Sequence, residues 1–306
     1  MSEQIRIGTR GSKLALWQAH HITNLLREAY PSITIDTHVI STRGDEILDK
    51  PLPAIGGKGL FTEALEDALR EGLVDCAVHS LKDLPTENAP GLTVGAIPPR
   101  GPVGDVLISR AGDTLDALPA GATVGTSSRR RAAQLNAYRA DLDVIDVRGN
   151  VPTRIQKCLD PAGPYDAIVL AQAGVVRLDL SNHISELLPF AVMLPAPGQG
   201  AIGVQCRADD TRFAPLTDQQ TQLAVTAERA LLNTLGGGCA VPVAAHARLE
   251  ADRLHLHGRV ISVDGTQIID LEQTTAATLE DARLLGKRMA TDMLAQGADA
   301  ILAAVR

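Results

Sequence analysis

The chain has 306 residues, enough for two or three domains. Hydrophobic residues make up 45% and aromatic residues 2%, so the cores are built from Leu, Val, Ile and Ala, and the aromatic stacking platforms of single-stranded nucleic-acid binders are missing. A net charge of -7 repels nucleic acid and anionic membranes, which leaves any anion binding to a local cluster of cations.

Met1-Ser2-Glu3-Gln4-Ile5-Arg6 has no apolar signal core, and no run approaches the ~18 apolar residues of a membrane span. Cys76, Cys158, Cys206 and Cys239 show no CxxC spacing, and the histidines show no ligand spacing with acidic partners. The expectation is a reduced, cytosolic chain with neither a disulfide framework nor a metal site.

Residues 5 to 100 alternate strand and helix signals. Ile5-Arg6-Ile7 reads as a short strand. Leu14 to Tyr30 reads as a helix with Leu14, Trp17, His21, Leu25 and Leu26 on one face. Ile33 to Ile40 alternates as a strand. Thr42 to Gly59 mixes Pro, Gly and charge and reads as a mobile lid; its Gly56-Gly57-Lys58-Gly59 lacks the spacing and the Ser/Thr of a phosphate-binding loop. Leu60 to Glu71 is a helix, and Asp75 to His79 a buried strand in which His79 is expected to be a satisfied core histidine. This rhythm predicts a mostly parallel sheet covered by helices.

Residues 105 to 194 repeat the rhythm as a weak copy. A strand ends at Thr123-Val124, Ser128 to Arg139 is helical, Asp143 to Val147 is a strand, a helix starts near Val151, and Asp166 to Leu170 is a strand. Pro98-Pro99-Arg100-Gly101-Pro102 and Pro195-Ala196-Pro197-Gly198 bracket this stretch as connections. Two crossings suggest one lobe inserted into another, with a cleft between them. From about Thr221 the character changes. Ala224 to Leu235 is a helix, Val241 to Thr274 a small antiparallel sheet with Asp264-Gly265 as a hairpin turn, and Leu279 to Val305 one or two closing helices.

In Gly125-Thr126-Ser127-Ser128-Arg129-Arg130-Arg131, Ser128 suits a helix N-cap. Three arginines in the first turn oppose the helix dipole at ~0.3–1 kcal/mol each, which calls for compensating anions; the bland alternative is a solvated basic patch. Arg148-Gly149-Asn150, with Arg154 a turn later, and Arg10-Gly11-Ser12 also follow strands, at the ends where open α/β sheets bind ligands. Arginine's planar fork suits carboxylates. Asp83, in His79-Ser80-Leu81-Lys82-Asp83-Leu84-Pro85, is either a surface partner of Lys82 or a carboxylate able to stabilise a cationic intermediate. Cys239, after Gly236-Gly237-Gly238, is a thiol on a bare loop, suited to tethering a polyanionic molecule covalently.

These blocks resemble the porphobilinogen deaminase (hydroxymethylbilane synthase) family from Ile7 to about Arg248. Besides those quoted, they include Leu14-Ala15-Leu16-Trp17-Gln18-Ala19, Thr42-Arg43-Gly44-Asp45, Pro197-Gly198-Gln199-Gly200-Ala201 and Thr226-Ala227-Glu228-Arg229-Ala230. The resemblance implies two lobes similar to type II periplasmic binding proteins, with mixed sheets around a cleft, plus a small C-terminal α+β domain. Residues 1–99 and 199–217 would form the first lobe with the catalytic aspartate. Residues 100–198 would form the arginine-rich second lobe, and 218–306 the cofactor-carrying domain.

It further implies a dipyrromethane cofactor held as a thioether on Cys239. Four porphobilinogen units would be condensed head to tail with loss of ammonia, and hydroxymethylbilane released by water. By the same resemblance Asp83 is catalytic. Lys82, Asp83, Thr126, Ser128, Arg130, Arg131 and Arg154 would bind the cofactor; Arg10, Ser12, Arg148, Arg154, Arg177 and Gln199 would bind substrate. A cytoplasmic monomer acting on a small molecule, with no nucleic-acid, membrane or metal partner, is implied. Four departures bear on positioning: Val103-Gly104-Asp105 where members often have Pro-Arg-Asp, Gly236 for a glutamate, Pro152 for a glycine and Arg129 for a leucine. The rival is a two-lobed anion-binding or sensing module without chemistry, which needs neither Cys239 nor Asp83.

Overall fold

The computed structural model describes residues 4–42, 44, 62–237 and 241–305. Most of the 42–59 stretch read as a lid, Lys58 included, and Cys239 lie outside these residues. The chain divides into two compact units, one of residues 1–101 with 201–222 and one of residues 102–200 with 223–306.

In the first unit β1 (Gln4–Thr9) leads through α1 (Lys13–Ala29) to β2 (Thr34–Val39). After α2 (Glu63–Arg70) come β3 (Cys76–Ser80), β4 (Leu92–Ala96) and, much later in the chain, β10 (Ile202–Arg207). The sheet order is β2-β1-β3-β10-β4. β1 pairs in parallel with β2 and β3, while β10 runs antiparallel to both β3 and β4. Ile5, Ile7, Ile22, Leu26, Val204 and Phe213 pack on one face, and Leu65, Leu69, Val74 and Ala77 on the other. The expected buried face of α1 is displaced by one residue: Ala15, Gln18, Ala19, Ile22 and Leu26 are buried, whereas Trp17 is 36% exposed and stacks on His21. The alanines let the helix approach the sheet closely, which a tryptophan in their place would prevent.

The second unit repeats this order with different strands. β5 (Asp105–Ser109), β6 (Thr123–Gly125), α3 (Arg129–Tyr138), β7 (Asp143–Ile145), α4 (Val151–Leu159), β8 (Ala167–Ala171), α5 (Gln172–Arg177) and β9 (Glu186–Leu187) form a sheet of order β7-β6-β8-β5-β9. β6 is parallel to β7 and β8, and β5 is antiparallel to β8 and β9. Both sheets are therefore mixed, as the family resemblance implied, and not mostly parallel as the element rhythm alone suggested. The antiparallel members, β5 and β10, enter along the two Pro/Gly-rich connections and not through a crossover helix, which only a parallel pair requires.

The rest of this unit is α6 (Gln219–Thr234), β11 (Val243–Glu250), β12 (Arg253–Ile261), β13 (Ile268–Ala276), α7 (Leu279–Ala295) and α8 (Ala298–Ala303), with α6 starting just before the unit boundary. The three strands form an antiparallel sheet. Leu231, Leu254, Leu256, Leu285, Met289 and Leu302 are buried together between the sheet and the helices. The expected turn at Asp264-Gly265 is the tip of a longer loop: the Asp264 carboxylate accepts from Thr266 N at 3.1 Å, and Gly265 has φ +76°. A Cβ on Gly265 would meet Ala137 N at 2.4 Å, so a glycine there lets the loop lie on the end of α3. Among the described residues no helix is long and apolar enough to cross a membrane.

Candidate functional site

In the first unit β1 and β3 are parallel neighbours, so the residues that follow them share one edge of the sheet. Arg10 and Ser12 follow β1. The Ser12 hydroxyl accepts from Ala15 N at 3.2 Å and caps α1. Lys82 and Asp83 lie on a 3-10 turn, Leu81–Asp83, directly after β3. Leu81 and Leu84 are buried, and Leu81 N donates to Ala201 O at 3.0 Å. These contacts hold the turn in place and leave Asp83 exposed. The Gln18 side chain donates to Ser80 Oγ at 2.9 Å, tying α1 to the same edge. His79 is buried, but its Nε2 has no hydrogen-bond partner, so it is not the satisfied core histidine expected. Burial pushes its pKa down to about 4, with the Gln205 side chain opposing and Arg10 adding to the effect, so the ring is neutral at pH 7.

In the second unit the other residues cluster after strand ends. Thr126 is buried beyond β6, and its Oγ1 accepts from Ser128 N at 3.2 Å. Ser128 occupies the N-cap position of α3 but makes no side-chain cap bond. Arg148 and Gly149 follow Val147, with Gly149 at φ +117°, a conformation glycine adopts without strain. Arg154 Nε donates back to Gly149 O at 2.7 Å and Lys157 Nζ to Arg148 O at 3.1 Å. Side chains of α4 thus hold the Arg-Gly-Asn turn.

Arg130 and Arg131 are 4% and 6% exposed, which removes the solvated-patch reading for both. Their compensating anion is largely the chain's own Asp105, which is 0% exposed. Asp105 Oδ2 accepts from Arg130 Nη2 at 2.8 Å, and Oδ1 from Arg131 Nε and Nη2 at 3.0 and 2.7 Å. Gln199 Nε2 donates to the same Oδ1 at 3.0 Å and to Gly104 O at 3.1 Å. Arg130 Nη1 donates to Leu194 O at 2.6 Å and Arg131 Nη1 to Val169 O at 3.1 Å. Arg130 Nε is buried with no partner.

Burial holds the Arg130 guanidinium below the ordinary arginine range, with Asp105 opposing and Arg131 reinforcing the shift. Arg177, at the end of α5, donates to Gly200 O at 2.7 Å, and burial pushes its pKa down to about 10. The structure therefore gathers Arg130, Arg131 and Gln199 around one carboxylate, with Arg177 fixed to the residue after Gln199. Two guanidinium groups against one carboxylate leave positive charge in a desolvated place, which favours an anionic ligand.

Asp105 escaped the sequence reading. Its only local signal is its place in Val103-Gly104-Asp105, and its partners lie 25 and 26 residues away. Glu228 escaped too. It is 0% exposed on α6, accepting from Gly198 N at 2.7 Å and Ala247 N at 2.8 Å. It pins the connection before Gln199 to the C-terminal sheet. Among the described residues no group of three or more His, Cys, Asp or Glu side chains is placed to hold a metal ion.

Two family models match the chain: "Porphobilinogen deaminase, dipyromethane cofactor binding domain" over residues 5–215, and "Porphobilinogen deaminase, C-terminal domain" over residues 222–295. Curated relatives agree. A porphobilinogen deaminase of Roseiflexus sp. (strain RS-1) is 50% identical over 99% of this chain and 100% of its own length. That of Maridesulfovibrio salexigens is 50% identical over 98% and 97%, and that of Desulforudis audaxviator 48% over 100% and 99%. A solved structure of the BenM effector binding domain with benzoate is similar at a TM-score of 0.40 and 15% identity, over 68% of this chain and 85% of that one. The family assignment rests on the sequence relatives and not on this last likeness.

Proposed function

We infer the function from one premise: the chain belongs to the porphobilinogen deaminase family. It is a transferase of tetrapyrrole biosynthesis. It condenses four porphobilinogen units head to tail on a dipyrromethane cofactor, releases ammonia at each addition, and frees hydroxymethylbilane by hydrolysis. The observation that carries this reading is identity of about 50% over essentially the whole length of chain and relatives. The arginine cluster supports it, because each pyrrole bears an acetate and a propionate.

The residues present fit the cofactor. Excess positive charge around Asp105 and an unsatisfied buried Arg130 N–H suit an acidic ligand. When bound, the cofactor supplies the primer ring to which the first substrate joins. Cys239 is assigned the thioether, since a thiolate is a soft nucleophile that gives a durable C–S bond. Lys82, Thr126, Ser128, Arg130, Arg131 and Arg154 are assigned its carboxylates. Arg10, Ser12, Arg148, Arg154 and Arg177 are assigned those of the substrate; Gln199, 0% exposed with its amide donating to Asp105 and Gly104, instead positions the arginine cluster.

Each addition breaks the aminomethyl C–N bond, forms a C–C bond and removes one ring proton. Asp83 is the catalytic residue. Its exposed carboxylate, on a turn fixed by buried Leu81 and Leu84, accepts hydrogen bonds from pyrrole N–H groups. It offsets the positive charge that develops as ammonia leaves, and it accepts the ring proton. Residues 1–99 with 199–217 would act as the catalytic lobe, 100–198 as the arginine lobe and 218–306 as the cofactor carrier, in a cytoplasmic monomer.

Intact mass of the purified chain tests the assignment. The wild type is expected to exceed its sequence mass by one dipyrromethane and to gain further pyrrole units on incubation with porphobilinogen. Cys239→Ser is expected to fold and show neither gain. The same adduct on the serine variant would sink the assignment.

A further inference from the structure

We propose that Asp105 is a positioning residue for carboxylate binding: it fixes the guanidinium groups of Arg130 and Arg131 and sets their net charge before any ligand arrives. The proposal rests on the reading that these two arginines hold cofactor carboxylates. Asp105 lies on β5 and the arginines in the first turn of α3. Three charge-assisted bonds of 2.7–3.0 Å join them. Such bonds are short, directional and stronger than neutral ones. Gln199 holds the same carboxylate at 3.0 Å, so its position is itself fixed from a fourth side.

Without this carboxylate the two guanidinium groups would repel each other at low dielectric, and the helix dipole would oppose both. With it, one positive charge remains. The buried, unpartnered Arg130 Nε shows that the protein alone does not complete the cluster. An outside carboxylate would supply the missing acceptor and the missing negative charge together.

The charges facing Arg130 are Asp105 from β5 and Arg131 from its own helix. Behind it, Arg259 of β12 reaches Gln134 at 3.0 Å while its own charge is paired with Asp270. Loss of Asp105 therefore removes the group that favours the protonated arginine and leaves burial and Arg131, which disfavour it.

The test is cofactor loading of the full chain on porphobilinogen, read by intact mass across pH, with folding checked by circular dichroism. Asp105→Asn is expected to fold, to load about tenfold less than wild type, and to lose loading at the alkaline end at lower pH than wild type does. If it folds but loads as wild type does, or loads poorly with an unmoved alkaline limb, Asp105 is not a positioning residue. Should Asp105→Asn fail to fold, Asp105→Glu decides. It keeps the charge and displaces the carboxylate by one methylene, so it must lose loading with the alkaline limb unmoved; wild-type loading overturns the proposal. Arg131→Leu is the separate control. Normal loading in that variant would refute the role given to the arginines, whatever Asp105 does.

Discussion

Glu228→Gln should cost this chain far more than an isosteric change suggests. The carboxylate is 0% exposed, and each of its oxygens accepts one backbone N–H, from Gly198 at 2.7 Å and from Ala247 at 2.8 Å. A glutamine offers one carbonyl oxygen and one NH2 group. One of the two backbone donors then faces another donor and stays buried and unpaired, and the surviving bond loses its charge. A hydrogen bond to a charged group contributes ~1.5–3 kcal/mol, and an orphaned buried donor costs ~1–3 kcal/mol. A loss of roughly 3 kcal/mol follows. At ~2–4 °C per kcal/mol for chains of this class, the calorimetric midpoint should fall by about 6 °C or more. Hydrogen exchange should quicken at the Gly198 or Ala247 amide. A variant that melts within about 1 °C of wild type, with both amides still protected, would show that the carboxylate does not hold the connection to the C-terminal sheet.

Asp83→Asn should fold and still carry the cofactor adduct yet lose catalysis, by roughly 10²-fold or more, because the amide neither accepts a proton nor offsets the developing charge; near-normal release of hydroxymethylbilane would refute this. Asp75 sets an acid limit on stability. Burial raises its pKa, but hydrogen bonds from Arg6 and Arg207 more than offset that and hold it at about 2 against an ordinary 3.8. A depressed folded value means the contribution is complete above about pH 4 and is lost as pH falls toward 2. With both arginines about a third exposed, roughly 1–2 kcal/mol is expected. Denaturant titrations between pH 6 and 2 should show that decline in wild type and a shallower one in Asp75→Asn.

Local chemistry determined a good part of this protein. Period-two and period-3.6 patterns, with glycine and proline punctuation, mark β2, β3, α3, α4, β8 and the C-terminal antiparallel sheet close to their observed limits. Those signals need only neighbouring residues. Arginines directly after strands are legible for the same reason, since β-strand ends and helix starts are written in adjacent residues. Tertiary structure decided the rest. Whether a helix turns Ala15 or Trp17 to the sheet depends on the space the sheet leaves, and the alanines fit where the indole does not. Strands β5 and β10 run against their neighbours because of where two long connections enter, which no local period encodes. Asp105 and Glu228 look like ordinary acidic residues in sequence. Only folding shows one between two buried guanidinium groups and the other between two backbone amides, because burial is what turns a distant acid into an indispensable partner.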